Sequence, residues 1–165
     1  MTNTLSHPSP TLATFASGLR FDAIPGEVVD RTVNLYVDWL GSALAGRDAR
    51  PVETIAAFAR RAGGSPYGPG TADVLIDRIR ATPYFAAMMN GAASHLAEQD
   101  DVHNGSVFHP ATVVFPVALA LAQARGASRR GFIAASDREV SRIVADAWQI
   151  ASRDAGGTLF PDGSA

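Results

Sequence analysis

Residues 109–126 read HPATVVFPVALALAQARG, and their punctuation is that of a helix. Pro110 suits the first helical position, where the missing N–H has no partner to lose, and Gly126 suits the end, where the chain must turn left-handed. Between them residues 111–124 are almost wholly apolar, so this helix is expected at the centre of a helical fold. Pro116 removes one rung of the hydrogen-bond ladder and is expected to kink it. The run is shorter than the ~20 residues a bilayer requires, so no membrane span is expected.

The same order of Pro before and Gly after recurs on either side. Pro25 and Gly46 bracket a segment in which Val28, Val29, Val33, Tyr36, Val37, Leu40 and Leu44 recur at three- and four-residue steps, opposite Glu27, Asp30, Arg31 and Asn34. Pro51 opens a shorter helix that stops at Gly63-Gly64, and Leu12, Phe15, Ala16 and Leu19 mark an amphipathic start from Thr11 to about Gly18. Residues 65–70 form a loop, and residues 73–80 fit either a short strand or a helical turn. Thr82-Pro83 predicts an N-cap and first turn for a buried helix over 84–98, where Gly91, Ala92 and Ala93 allow a close neighbour. A last helix is expected over 128–152, with Phe132, Ile133, Val140, Ile143, Val144, Ala147 and Ile150 apolar, and a loose tail over 156–165. The expectation is an all-α, helical bundle-like fold, with 1–135 as one partial helical domain and 136–165 as a divergent C-terminal helix and tail.

Composition narrows the chemistry. The 165 residues are 47% hydrophobic and 18% charged, enough apolar surface for one globular unit. A net charge of −2 provides no basic field, so neither nucleic acid nor an anionic membrane is an expected partner. All 14 cationic residues are Arg; without Lys the chain cannot form a Schiff base. Without Cys it has no disulfide, thiol nucleophile or thiolate metal ligand. The N-terminus carries neither a basic leader nor an apolar core, and a cytoplasmic location is expected.

The polar signal lies in one fifteen-residue window: His95, Glu98, Asp100, Asp101, His103 and His109. On a continuing helix, His95 and Glu98 share a face. The run from Asp100 to His103 follows as that helix frays, and a loop through Asn104, Gly105 and Ser106 delivers His109 to the N-cap of the Pro110 helix. Backbone N–H groups at a helix start attract an anion, which suits a substrate carboxylate. A positive ring there meets the positive end of the helix dipole, which favours His109 as a base or hydrogen-bond partner. Plainer readings stand beside these. Asp100 and Asp101 fit a solvated helix end, His95 on its Ala-rich face fits a packed core histidine, and Asn104-Gly105 is an ordinary turn. Asp100, Asp101, His103 and His109 offer oxygen and imidazole to a divalent ion, but their spacing matches no metal motif, so no metal and no cofactor are expected.

Taken together, Asp38-x-Leu40-Gly41-x-x-Leu44-Ala45-Gly46, Asn90-Gly91-Ala92-Ala93-x-His95, Asp100-Asp101-x-His103 and His109-Pro110-x-x-x-Val114-x-Pro116 resemble the N-terminal part of the MmgE/PrpD family. That family includes 2-methylcitrate dehydratase, cis-aconitate decarboxylase and iminodisuccinate epimerase. The resemblance runs from about Leu12 to Ala135. It implies a cofactor-independent lyase or isomerase acting on small polycarboxylic acids by dehydration, decarboxylation or epimerisation. His109, Asp101, Asp100 and His103 would be its catalytic groups, and Glu98, His95 and Ser106 its substrate contacts. Glu98 stands where members often carry Asp, and Val102 where they often carry Thr. The family's active-site lysines have no counterpart here. The chain therefore reads as an N-terminal fragment or short variant, inactive alone and expected to form a homodimer through its apolar helices. Two other readings remain open: a non-catalytic, self-associating helical module, and a small metal-dependent hydrolase using Asp100, Asp101, His103 and His109.

Overall fold

A computed structural model describes residues 14–15, 17–62, 70–103 and 108–137 of the chain. The Pro and Gly punctuation becomes four α-helices in order: α1 (Gly26–Ala45), α2 (Arg50–Ala62), α3 (Pro83–Leu96) and α4 (Pro110–Arg125). Positions 14, 15, 17 and 18 are helical, a short 3-10 turn spans Phe21–Ala23, and a further helical stretch covers 129–137. The all-α expectation holds, since the strand pairing among the described residues is a small hairpin and one isolated bridge. The expected loop over 65–70, apart from Gly70, the later part of the 128–152 helix and the tail over 156–165 lie outside the described residues.

The helix ends follow local chemistry. Pro25 and Gly46 are the caps of α1, as their positions predict. Gly126 closes α4 at φ 61°, where the Ala127 N–H donates to the Ala122 carbonyl at 2.8 Å. This left-handed closure is the one a glycine makes without strain. Thr82 and His109 occupy the N-caps of α3 and α4, but neither side chain makes a capping hydrogen bond. The helix α4 runs unbroken through Pro116.

Residues 73–80, open between strand and turn in the sequence, resolve into strand β1 (Ala72–Val74), a turn, and strand β2 (Ile79–Ala81). The strands pair antiparallel, with Ala72 opposite Ala81 and Val74 opposite Ile79. Two strands this short have little stability alone. Amides from the helices hold them: Asn90 of α3 accepts the Leu75 N–H and donates to the Asp73 carbonyl, both at 2.9 Å, and Gln123 of α4 accepts the Asp73 N–H at 2.8 Å. Asn90 is therefore a structural residue, buried where it satisfies backbone that would otherwise be orphaned.

The core has two parts. In one, Ala56 and Ala59 of α2, Ala72 and Val74 of β1, Ala86 and Met89 of α3 and Ala120 of α4 pack together. In the other, Trp39 of α1 meets Ala111 and Phe115 of α4, and Tyr36 stands edge-on to both Phe115 and Phe132. Small residues at these crossings let helix backbones approach closely. The closest approach is at Gly46, where a Cβ would lie 2.1 Å from the Ala93 carbonyl oxygen of α3. The helix α1 buries Thr32, Trp39, Ser42 and Ala43. Val33, Val37 and Leu44, expected on its apolar face, are exposed.

Candidate active site

Helix α3 ends at Leu96, two residues short of the expected end, and the chain then reverses through Glu98, whose φ of 50° lies in the left-handed region. That turn, closed by the Glu98 N–H on the His95 carbonyl at 3.2 Å, takes Glu98 off the helix. The shared His95–Glu98 face expected from the sequence is thus not formed, because the helix stops between them. The turn instead brings Asp100 back toward His95.

Asp100 is the centre of the site. Its side chain is fully buried, against the expectation of a solvated helix end. One carboxylate oxygen, Oδ2, lies 3.3 Å from Nδ1 of His109 and 3.8 Å from Nδ1 of His95. The two imidazole rings meet edge to face, with centroids 5.3 Å apart. His95 is about half exposed, 54% for its side chain, so it is not the packed core histidine that its Ala-rich face suggested. The His109 side chain is 27% exposed, with Nδ1 on its buried edge. A carboxylate drawn out of water beside two imidazoles, hydrogen-bonded to neither, is placed to balance a positive charge on either ring.

Asp101 takes another part. Its Oδ1 accepts the Ala111 N–H at 3.0 Å, so the anion at the start of α4 is the protein's own carboxylate. The sequence reading reserved that place for a substrate; the chain fills it because the turn after α3 lays Asp101 against it. Burial pushes the Asp101 carboxyl up, the Ala111 N–H opposes this, the charges of Asp100 and Asp38 raise it further, and His109 lowers it. Asp38, on the exposed side of α1, is the group that sequence reasoning passed over. Its signal was present, since it opens the motif of the α1 helix, but only folding brings that helix near the acids.

The remaining candidates are distributed around this centre. The His103 backbone pairs with Phe108, donating at 2.7 Å to its carbonyl, which closes the loop leading to His109. The close contacts join Asp100 to His109 and His95, and Asp101 is coupled electrostatically to Asp100 and His109. Glu98 is exposed, and Ser106 lies outside the described residues.

Comparison with known proteins adds one finding. The sequence model of the MmgE/PrpD N-terminal domain matches residues 10–155 of the chain. No curated protein and no solved structure matches it. Among the described residues, no helix is long and apolar enough to cross a membrane.

Proposed function

Because the chain belongs to the MmgE/PrpD family, we propose that it supplies the acid–base centre of a lyase or isomerase acting on small polycarboxylic acids. The observation that carries this reading is the buried Asp100 carboxylate 3.3 Å from Nδ1 of His109. Removing a proton next to a carboxylate requires a base that is fixed in place and a counter-charge for the proton it gains. In this reading His109 takes the proton, and Asp100 steadies the ring and its new positive charge. Asp101, whose carboxyl burial pushes up, is suited to return a proton to the product or leaving group. His103 is kept in this reading as a further catalytic group, and Glu98, His95 and Ser106 as the candidates for contact with the substrate's other polar groups. In this reading the reaction needs no cofactor, and the proposed setting is the cytoplasm.

Enolate-like charge also calls for cationic groups, and this chain has no Lys. Turnover to product by these 165 residues alone is therefore expected to be slight. Proton abstraction itself is testable. Exchange of the α-proton for deuterium, followed by NMR over a panel of di- and tricarboxylic acids in D2O, reads it directly. The variant His109→Ala should slow exchange by about 10²-fold or more. Exchange that persists in this variant, or that the unmodified chain fails to show with every acid, would overturn the role given to His109.

A second reading, self-association, has its own observation. Val113, Val117 and Leu121 recur every four residues along α4 and are exposed, next to an exposed Tyr84 on α3. A stripe of this kind fits a second copy of the chain. Light scattering after size exclusion should give a dimer that Val117→Glu converts to a monomer; a monomeric unmodified chain removes the reading.

A further inference from the structure

We infer that Ser94 and Thr112 are positioning residues, and that the hydrogen bond between their hydroxyls sets how the His95 and His109 rings face one another. The inference rests on the acid–base reading above and adds the groups that hold its imidazoles in register.

Asp100 lies 3.3 Å from Nδ1 of His109 and 3.8 Å from Nδ1 of His95, yet neither of its oxygens makes a hydrogen bond, and neither does Nδ1 of His109. At the N-cap of α4, the His109 side chain makes no capping bond either. The rings nonetheless meet edge to face with centroids 5.3 Å apart. Their mutual placement is therefore governed by the two backbones that carry them, the last turn of α3 and the start of α4.

Those backbones are tied together beside the site. Ser94, the residue before His95, is fully buried and donates to the Gly91 carbonyl at 3.0 Å. A hydroxyl has one proton to give, so in its contact with Thr112 the serine accepts and the threonine donates. The donors thus run from α4 across to α3 and end on the α3 main chain, each bond strengthening the next. At the same crossing a Cβ on Gly91 would lie 3.4 Å from the Thr112 carbonyl oxygen and 3.5 Å from Cγ of Pro116, so the helices are in contact. Contact between small residues fixes a distance but leaves one helix free to slide or roll on the other; a directional hydroxyl bond removes that freedom. Alanine at both places would satisfy closeness alone. The chain instead brings two hydroxyls into the crossing, where each satisfies the other. Ser94 stands one residue from His95 and Thr112 one turn beyond His109, so the register they set passes directly to the rings.

Ring placement is read by NMR without any substrate, on the full chain labelled with 13C at histidine. The ring proton that points at the neighbouring face is expected upfield of the exposed-histidine range, and His95→Ala identifies it. Thr112→Val keeps the shape and loses the donor. It is expected to return that signal toward the exposed range and to slow deuterium exchange of succinate and citrate at least about tenfold at saturation, with KM little changed, since no substrate contact is removed. Thr112→Ser, which keeps the O–H, should restore both. Ser94→Ala should reproduce Thr112→Val, and serves in its place should that variant fail to fold; the double variant should add nothing further. A pair that merely stabilised the fold would lower Tm in these variants and leave the ring signal and the exchange per folded molecule in place, and that outcome overturns the inference. If the unmodified chain exchanges neither acid, the acid–base reading loses its support, and the ring signal by itself still decides whether the pair positions the histidines.

Discussion

Replacing Gly46 with Ala tests the packing that holds the site. The backbone of Gly46 has φ −85° and ψ −1°, a conformation open to any residue, so only space forbids the methyl. The added Cβ would lie 2.1 Å from the Ala93 oxygen and 3.1 Å from its carbonyl carbon. Ordinary contact begins at 3.4 Å, which leaves a shortfall of 3.4 − 2.1, or 1.3 Å. The obstacle is main chain, so no side-chain rotation relieves it; α1 and α3 must separate. Overpacking costs about 1–3 kcal/mol and sometimes more, and a backbone-against-backbone collision belongs at the upper end, about 3 kcal/mol. For a domain of this size each kcal/mol moves Tm by about 2–4 °C, so a fall of roughly 6–12 °C is expected in thermal unfolding followed by circular dichroism. Ala93 precedes His95 by two residues on α3, so the same shift displaces the ring. A displacement of about 1 Å can reduce a geometry-dependent rate by about 10²-fold. A variant that melts within about 2 °C of the parent would refute the close approach of α1 to α3.

Three further outcomes follow from the same structure. Gly41→Ala, at an exposed position inside α1 with nothing within 4 Å of the new methyl, should stabilise by about 0.5–1 kcal/mol in urea unfolding, and a loss would mean that the methyl meets something. Asn90→Ala strands the Leu75 N–H and the Asp73 carbonyl, at a cost of about 2–4 kcal/mol, whereas a loss below about 1 kcal/mol would mean that water replaces the amide. The folded state raises the Asp101 carboxyl above its ordinary 3.8, mainly by burial, so the stability it contributes is present below pH 3.8 and is lost as pH rises through the folded value. Asp101→Asn should therefore gain on the parent as pH is raised from about 4, and a stability difference that stays flat or moves the other way would contradict the burial of this carboxyl.

Much of the fold was legible because helix ends are local. Pro25, Pro110 and Gly126 mark termini through their own backbone constraints, whatever packs against them, whereas Gly46 is needed for the close approach of Ala93. The hairpin over 72–81 was not legible, since Val74, Ile76 and Ile79 fit two periodicities and the choice rests on amides from Asn90 and Gln123, distant in sequence. The helix α1 misled for a related reason: its periodicity named an apolar face, but the face that packs inward centres on Trp39, with Thr32, Ser42 and Ala43, and leaves Val33, Val37 and Leu44 outside.

The candidate site divides in the same way. Its inventory of His95, Asp100, Asp101 and His109 was set by the sequence, which places them in one window beside a helix start. Their division of labour depended on tertiary structure. The left-handed turn at Glu98 buries Asp100 beside two imidazoles, puts Asp101 on the Ala111 N–H and brings Asp101 within electrostatic reach of Asp38 on α1. Residue type and spacing decide which groups are close along the chain. Burial and the exclusion of water, on which the reactivity proposed for those groups depends, exist only once distant helices have packed around them.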